Sequence, residues 1–297
     1  MSKTSPQLIR VGHSPDPDDA FMFYALAHEK IDMRGFKVEH VIEDIESLNQ
    51  RALKGKLEVT AVSCHAYAYL SDRYAVMRAG ASVGDNYGPI LVQRSTVNVQ
   101  RKDLETEALN HAFKRIAIPG KLTTAYLALQ LYTLTVDRCA LTGFEPIFVP
   151  FDKIFDAVRS GEVDYGLIIH EGQITHAAQG FEKVLDLGEW WHETARLPLP
   201  LGIDIIRKDL GLETMKRFAV LFKESIQYAL NHRKDALEYA SQFGRGISHD
   251  LNDRFVAMYV NDRTVDLGRD GEAGFRKLLD DAFAAKIIPR KIELEFI

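Results

Sequence analysis

Short apolar segments alternate with helical segments along the first two thirds of the chain, and this alternation constrains the fold more than any other feature. Residues 8–13 predict a strand, residues 14–19 a turn with two prolines and three aspartates, and residues 20–26 a helix. The middle of the chain repeats this order, with a strand at 115–118 and a helix at 125–132. The sequence therefore predicts two α/β units of related layout.

A histidine follows an apolar strand of the second unit. Residues 166–169 read Gly-Leu-Ile-Ile, and His170 and Glu171 come directly after them. Such a run predicts a buried parallel strand, and the carboxyl ends of parallel strands face the ligand crevice in open α/β sheets. Because an imidazole has an unperturbed pKa of about 6.5, His170 is a candidate general base. Capping of the next helix, or a hydrogen bond to a nearby carbonyl group, is the alternative role.

Two strand-to-helix loops carry polar groups that would face a cleft between the units. Helix N-termini favour anions, so we expect a carboxylate or phosphate group to bind near Thr123 and Thr124. Ser14 in the first loop and Ser63 after the third predicted strand add hydroxyl groups. The aspartates of the first loop would repel an anion unless they bind hydroxyls instead. Ordinary helix capping is the alternative for Thr123, Thr124 and Ser63.

The composition excludes several classes of partner. The 297 residues, 46% of them hydrophobic, suffice for one large domain or two smaller ones with real cores. A net charge of −5, without basic segments interleaved with aromatic residues, argues against nucleic acid. The chain has no run of about 18 apolar residues, and its start lacks the apolar region of a signal peptide. We therefore expect a cytoplasmic protein that is not inserted in a membrane. The sequence leaves open whether the protein forms a homodimer.

Two further apolar segments predict where the chain passes between the units. Residues 90–94 and 203–207 read as strands on either side of the second unit, and we expect both to cross a hinge. This divides the chain into a larger lobe, residues 1–94 and 203–297, and a smaller lobe, residues 95–202. In the last third, apolar residues recur every three or four positions, which predicts helices that pack on the larger lobe.

Several motifs that would indicate other chemistry are absent from the sequence. There are ten histidines but no His-Glu-x-x-His motif, and His170 and His176 are not spaced to share one helical face. The glycine-rich motifs for dinucleotides and nucleoside triphosphates do not occur, and neither does the Gly-x-Ser-x-Gly elbow of serine hydrolases. We therefore expect no metal site and no bound nucleotide.

Four segments of the chain resemble the signature segments of one enzyme family. They are SPDPDDAFMFYAL at 14–26, GKLTTAY at 120–126, GLIIHE at 166–171 and LPLPLG at 197–202. In matching order over nearly the whole chain, they are similar to segments of the 1,4-dihydroxy-6-naphthoate synthases of the futalosine route to menaquinone. The resemblance implies a two-lobed α/β fold like that of type II periplasmic binding proteins, with a central ligand cleft.

The same resemblance implies an activity and a site. Members of that family are lyases that cleave cyclic dehypoxanthinyl futalosine to 1,4-dihydroxy-6-naphthoate, without a metal or an organic cofactor. The histidine that matches His170 is the family's proposed base. The residues that match Asn49, Ser63, Thr124 and Ala125 line the family's ligand cleft. The resemblance thus implies a small-molecule carboxylate as the substrate.

The first loop departs from the family's pattern. That loop commonly reads SPCPNDT, whereas Asp16, Asp18 and Ala20 replace its cysteine, asparagine and threonine here. Because the extra negative charge could change which substrate is accepted, a divergent paralogue is one alternative to the synthase. A non-catalytic binding protein or sensor for small anions is a second alternative. A chorismate dehydratase, whose fold is similar, is a third. The histidine segment and the Ser-Pro-x-Pro loop favour the synthase over the dehydratase.

Overall fold

Two β-sheets form the framework of the computed structural model, which describes residues 6–95, 114–136, 141–244 and 246–297. The strands in these ranges are, in chain order, β1 (Gln7–His13), β2 (Phe36–Ile42), β3 (Val59–Ser63), β4 (Tyr74–Val76), β5 (Ser82–Gly84), β6 (Ile90–Arg94), β7 (Arg115–Ile118), β8 (Glu145–Phe148), β9 (Tyr165–Ile168), β10 (Phe181–Asp186) and β11 (Leu199–Arg207).

The helices cover both sheets. In chain order they are α1 (Pro17–Ala27), α2 (Ile45–Leu53), α3 (Cys64–Tyr67), α4 (Thr124–Thr135), α5 (Ile154–Ser160), α6 (Gly172–Thr175), α7 (Leu187–Ala195), α8 (Leu212–Asn231), α9 (Arg233–Ser241), α10 (His249–Tyr259), α11 (Asp262–Val265) and α12 (Gly268–Ala284).

Each of the two sheets contains both parallel and antiparallel strand pairs. The first sheet has the order β2-β1-β3-β11-β4, with β5 also paired to β11, and the second has the order β10-β6-β9-β7-β8. In the first sheet β1 is parallel to β2 and β3, while β11 is antiparallel to its neighbours. In the second sheet β7 is parallel to β8 and β9, while β6 is antiparallel to β9 and β10. The chain therefore enters the second sheet at β6 and returns to the first at β11.

The predicted division of the chain into 1–94 with 203–297 and 95–202 stays a prediction. Residues 96–113, near the start of the predicted smaller lobe, lie outside the described residues. The hydrogen-bond pairing places Ile90–Arg94 in the second sheet and all of Leu199–Arg207 in the first. A division by sheet would therefore fall slightly before residue 90 and slightly before residue 199.

Local signals explain most of the elements. The predicted bounds of β6 at 90–94 and β7 at 115–118 agree with those in the structure, and β1 begins one residue before the predicted 8–13. Among the elements that the sequence analysis did not predict are β10 and α7. In β10 most of the charged residues are partly or fully exposed, so the strand lacks the apolar run of a buried strand. In α7 burial of Trp190 and Trp191 supplies the apolar contact that stabilises a helix of nine residues.

Aromatic side chains of the C-terminal helix α8 pack against α1 and the first sheet. Phe21 and Phe23 of α1 belong to one buried cluster with Phe218 and Phe222 of α8. The rings of Phe23 and Phe222 are stacked, with their centroids 4.8 Å apart. Burial of large aromatic side chains of this kind is a major source of stability. The first sheet and the helices at the end of the chain therefore form one packed body.

A second apolar cluster connects elements of both sheets. Tyr67 of α3, Leu127 of α4, Trp191 of α7 and Phe275 of α12 are all buried in it. The indole Nε1–H of Trp191 donates to the carbonyl oxygen of Pro198 at 3.1 Å. This shared core fixes the second sheet against the first beside the cleft described below. Within the described ranges, no helix combines the length and the apolar character that crossing a bilayer requires.

Candidate active site

A cleft of about 750 Å³, partly open to solvent, lies where loops from the two sheets meet. Its walls include residues that follow the carboxyl ends of four strands: Ser14 after β1, Ser63 at the end of β3, Thr123 after β7 and Ile169 after β9. Parallel strands deliver functional side chains at this end. The structure thus brings the two predicted strand-to-helix loops to one cleft.

The N-terminus of α4 supplies two unpaired backbone donors to this cleft. Thr123 caps the helix, because its Oγ1 accepts a hydrogen bond from the N–H of Tyr126 at 3.3 Å. Thr124 and Ala125 come next, and both line the cleft. Within the described ranges their N–H groups have no hydrogen-bond acceptor. Unpaired N–H groups and the helix dipole favour the binding of an anion at this end of the 12-residue α4. We call the N–H groups of Thr124 and Ala125 the anion seat.

The Thr124 hydroxyl has a different role from its backbone. Its Oγ1 donates to the carbonyl oxygen of Leu201 on β11 at 2.5 Å, and it accepts from the N–H of His65 at 3.4 Å. Both partners lie on elements attached to the first sheet. The side chain therefore joins the two walls of the cleft, and the backbone is the part of Thr124 that remains available to a ligand.

Asn49 lies behind the cleft and holds Ser63 in place. The Asn49 side chain is fully buried, and it is not among the described residues that line the cleft. Its Oδ1 accepts from the N–H of Ser63 at 3.0 Å, and its Nδ2 donates to the Ser63 Oγ at 3.2 Å. Asn49 therefore orients Ser63 instead of facing a ligand, while the Ser63 hydroxyl can still donate into the cleft.

Acidic side chains form another part of the wall. Asp18 and Asp19 begin α1, and Asp204 lies on β11 between two buried isoleucines. Asp19 Oδ2 accepts from the N–H of Ser14 at 2.6 Å, so the carboxylate fixes the first loop. Burial raises the pKa of Asp19 to about 7, and burial with a neighbouring carboxylate raises the pKa of Asp18 and of Asp204 well above the usual range. These carboxyl groups are therefore readily protonated.

Two polar side chains close the cleft between the sheets. Tyr259 of α10 donates its phenolic O–H to Gln173 Oε1 of α6 at 2.6 Å, and both residues line the cleft. Burial raises the pKa of Tyr259 well above its ordinary value, so the phenol keeps its proton. On another side, Glu46 Oε2 of α2 accepts from the N–H of Leu122 at 3.1 Å. These bonds hold the loops of the second sheet against the first.

His170 does not line this cleft in the structure. Its Nδ1 accepts from the N–H of Gly172 at 3.0 Å, so its Nε2 carries the proton and donates to the carbonyl oxygen of Phe151 at 3.2 Å. The ring lies edge-on to Phe151 and Phe155. Its neighbours Ile169 and Gln173 do line the cleft. The segment therefore reaches the cleft through Ile169 and Gln173, while the His170 imidazole lies against Phe151 and Phe155.

The predicted site residues therefore divide into three groups. Ser14, Ser63, Thr123, Thr124 and Ala125 line the cleft, Asn49 supports it from behind, and His170 lies beside it. Their part in binding or catalysis stays a prediction. Residues that the sequence analysis did not propose, Asp204, Gln173, Phe255 and Tyr259, also line the cleft. Of these only Asp204 carries a sequence signal, a single carboxylate inside an apolar strand.

A buried histidine beside the first loop should make stability depend on pH. His13 is fully buried, its Nε2 lies 3.1 Å from His40 Nδ1, and burial lowers its pKa to about 4. Below pH 6.5 the unfolded chain binds a proton at His13 that the native state does not bind, so wild-type stability falls as the pH approaches 4. Relative to His13→Gln, we expect the wild type to lose about 2–3 kcal/mol between about pH 7 and pH 4.5.

Urea unfolding of both proteins at the two pH values measures this difference, and the comparison removes the opposing contribution of the buried aspartates. The free energy of unfolding of His13→Gln relative to the wild type should rise at the lower pH. An unchanged difference would show that His13 is protonated equally in both states.

No group of three or more histidine, cysteine, aspartate or glutamate side chains in the described part of the chain is arranged to hold a metal ion.

Comparisons with known proteins identify the family. A family model described as menaquinone biosynthesis matches residues 9–284. The chain belongs to this menaquinone biosynthesis family. A relative in Thermus thermophilus, named 1,4-dihydroxy-6-naphthoate synthase, is 38% identical over 278 residues, which are 94% of this chain and 95% of that protein. The predicted resemblance to this family is thereby confirmed.

Solved structures confirm the predicted fold of this family member. A crystal structure of an Archaeoglobus fulgidus protein is 47% identical, covers 95% of this chain and 98% of its own, and has a TM-score of 0.84. The alkanesulfonate-binding protein of Xanthomonas axonopodis, bound to MOPS, is 13% identical, with a TM-score of 0.69 and coverage of 97% and 96%. At that identity the likeness concerns the fold alone. The menaquinone biosynthesis protein therefore has the two-lobed fold of periplasmic binding proteins.

Proposed function

We propose that this protein is a 1,4-dihydroxy-6-naphthoate synthase, a carbon–carbon lyase that acts on cyclic dehypoxanthinyl futalosine. The observation that carries the proposal is the start of α4 at the cleft wall, where the N–H groups of Thr124 and Ala125 are unpaired. A substrate carboxylate would accept from both groups, and the Ser63 hydroxyl lines the same cleft. The name of the Thermus thermophilus relative supports 1,4-dihydroxy-6-naphthoate as the product.

The proposed reaction needs one base and a cleft that excludes water. In a retro-aldol-like step, His170 takes a hydroxyl proton, and a carbonyl group forms at that carbon. The electron pair of the broken carbon–carbon bond passes to the ring system that becomes aromatic. The fragment that carries the new carbonyl group leaves, and the ring carbon loses its proton. The protons taken from the hydroxyl group and from the ring carbon pass to the two ring oxygens, which gives the dihydroxynaphthoate and regenerates His170. Aromatisation drives the reaction forward. Contacts across the cleft, such as Tyr259 with Gln173, would keep solvent away from the base.

The base role requires the His170 side chain to move. Its Nε2–H now donates to Phe151, and its Nδ1 accepts from Gly172. A rotation about the side-chain torsions would break both bonds and free a nitrogen. The carboxylate of Glu171, 3.6 Å from His170 Nδ1, could then orient the imidazole. The cytoplasmic location and the homodimer stay predictions beside this function.

The proposal is tested by turnover. Purified protein, treated with a chelator, is incubated with cyclic dehypoxanthinyl futalosine, and product is followed by the absorbance and mass of 1,4-dihydroxy-6-naphthoate. A parallel incubation with chorismate tests the dehydratase. We expect naphthoate from the first substrate and no change in the second.

Other outcomes would assign the cleft differently. Consumption of chorismate would identify the protein as a chorismate dehydratase. Tight binding of the futalosine compound without product would favour a non-catalytic binding protein, a sensor or a divergent paralogue. Either result would overturn the synthase proposal.

A further inference from the structure

Three buried carboxyl groups stand on the cleft wall that belongs to the first sheet. Asp18, Asp19 and Asp204 are each at most 8% exposed, and all three line the cleft. In the described residues, no lysine, arginine or histidine lines the cleft with them. Asp19 is paired with the Ser14 N–H, whereas the other two have free atoms. A buried carboxyl oxygen without a partner is costly, so this wall is suited to a ligand that supplies one.

The unpaired atoms include a donor as well as acceptors. Asp18 Oδ1, Asp204 Oδ1 and Gln173 Nε2 are buried and have no hydrogen-bond partner among the described residues. The Gln173 amide is oriented by Tyr259, since the protonated phenol donates to Oε1 and leaves Nε2 unpaired. Gln173 is 8% exposed and lines the cleft from the second sheet's side. The free groups thus come from three separate elements: α1, β11 and α6.

We infer that Asp18, Asp204 and Gln173 form a subsite for the hydroxyl groups of a polyol, attached to the carboxylate-bearing part of the substrate. This inference rests on the proposed function, because it assigns the other end of the same substrate. A hydroxyl group both donates and accepts, so it can pair with a carboxyl group in either protonation state and with the Gln173 amide. An ammonium group only donates, and would leave the Gln173 N–H unpaired.

The strand β11 gives the distance between the two ends of such a ligand. Leu201 accepts a hydrogen bond from Thr124 at the anion seat, and Asp204 follows three residues later on the same strand. At about 3.3 Å per residue, the anion seat and the polyol subsite are on the order of 10 Å apart. An aromatic acid with a polyol substituent has this length. Asp18, which stands where the family's first loop commonly has asparagine, supplies one of the carboxyl groups of this polyol subsite.

A pair of synthetic ligands tests the subsite without relying on turnover. Isothermal titration calorimetry measures the affinity for benzoate and for a benzoate with a ribosyl group at the meta position. The wild type should bind the ribosyl compound at least about tenfold more tightly, because it fills unpaired donors and acceptors. In Asp204→Ala and Gln173→Leu, each of which removes a polar group of the subsite, this preference should fall about tenfold, with benzoate affinity within about twofold of the wild type.

Two controls separate the subsite from general effects. Asp209→Ala makes the same change on a side chain that is 68% exposed and bonded to Arg207, so it should keep the wild-type preference. Thermal unfolding checks that each variant is folded. Asp204→Ala removes a carboxyl group whose charged form burial disfavours, so we expect it to stay folded.

Equal affinity of the wild type for the two ligands, or an unchanged preference in both Asp204→Ala and Gln173→Leu, would overturn the inference. Tighter binding of meta-aminomethylbenzoate than of the ribosyl compound would also overturn it, in favour of a cationic ligand. The proposed function fails separately: a wild type that prefers the ribosyl ligand but makes no naphthoate retains the subsite and loses the synthase assignment.

Discussion

Replacement of His170 by alanine should lower kcat for naphthoate formation by at least about 100-fold, because a positioned general base typically contributes 10²–10⁴ in rate. The binding of substrate should change little, since the imidazole is outside the cleft in the resting structure. Steady-state kinetics with cyclic dehypoxanthinyl futalosine measures both effects. A large fall in kcat with a nearly constant KM is therefore the expected signature of a base that reaches the substrate only during turnover.

The matched control is His176→Ala, which removes a second histidine from the segment after β9. His176 Nδ1 bonds to the carbonyl oxygen of Gln173 at 2.9 Å, so both histidines make local backbone contacts. Full turnover by His170→Ala would rule out the base and leave His170 as a structural residue packed on Phe151.

Substitution of Asn49 by leucine should destabilise the protein by about 2–4 kcal/mol, because it leaves the buried N–H of Ser63 without an acceptor and removes a donor to its Oγ. Leucine has as many side-chain heavy atoms as asparagine but is bulkier, so the loss of hydrogen bonds and overpacking at this buried site both contribute. The free energy of unfolding from urea titration measures the effect. The same variant should also bind carboxylate ligands more weakly, since Ser63 would lose its fixed orientation beside the α4 N-terminus.

Gln50→Leu provides the comparison for Asn49 on the same helix. Gln50 is the next residue of α2, is exposed, and bonds only to Glu46 Oε1 at 3.0 Å among the described residues. Its substitution should change the free energy of unfolding by less than about 0.5 kcal/mol. If Asn49→Leu were as stable as Gln50→Leu, the two hydrogen bonds between Asn49 and Ser63 would contribute nothing to the free energy of unfolding.

The elements that the sequence predicted well are those whose signals are local. The apolar pattern and bounding residues of β6 and β7 lie within each segment, so their limits could be read directly. The same holds for the cleft loops, because a strand followed by a helix places its connecting loop at the carboxyl edge of the sheet. Capping of α4 by Thr123 or Thr124 is an open alternative in the sequence, and the structure has Thr123 as the cap.

The sequence by itself therefore determined the α/β alternation, the helix N-terminus that faces the cleft and, by resemblance, the family. The tertiary structure decided which side chains face the ligand. Asn49 lies behind Ser63, the His170 imidazole bonds to Phe151, and Asp204 meets Gln173 and Tyr259 at one cleft. These contacts join residues that are distant in the sequence; Tyr259 and Gln173, for example, are 86 positions apart. Side-chain direction at such contacts depends on packing between distant segments, which no local pattern encodes.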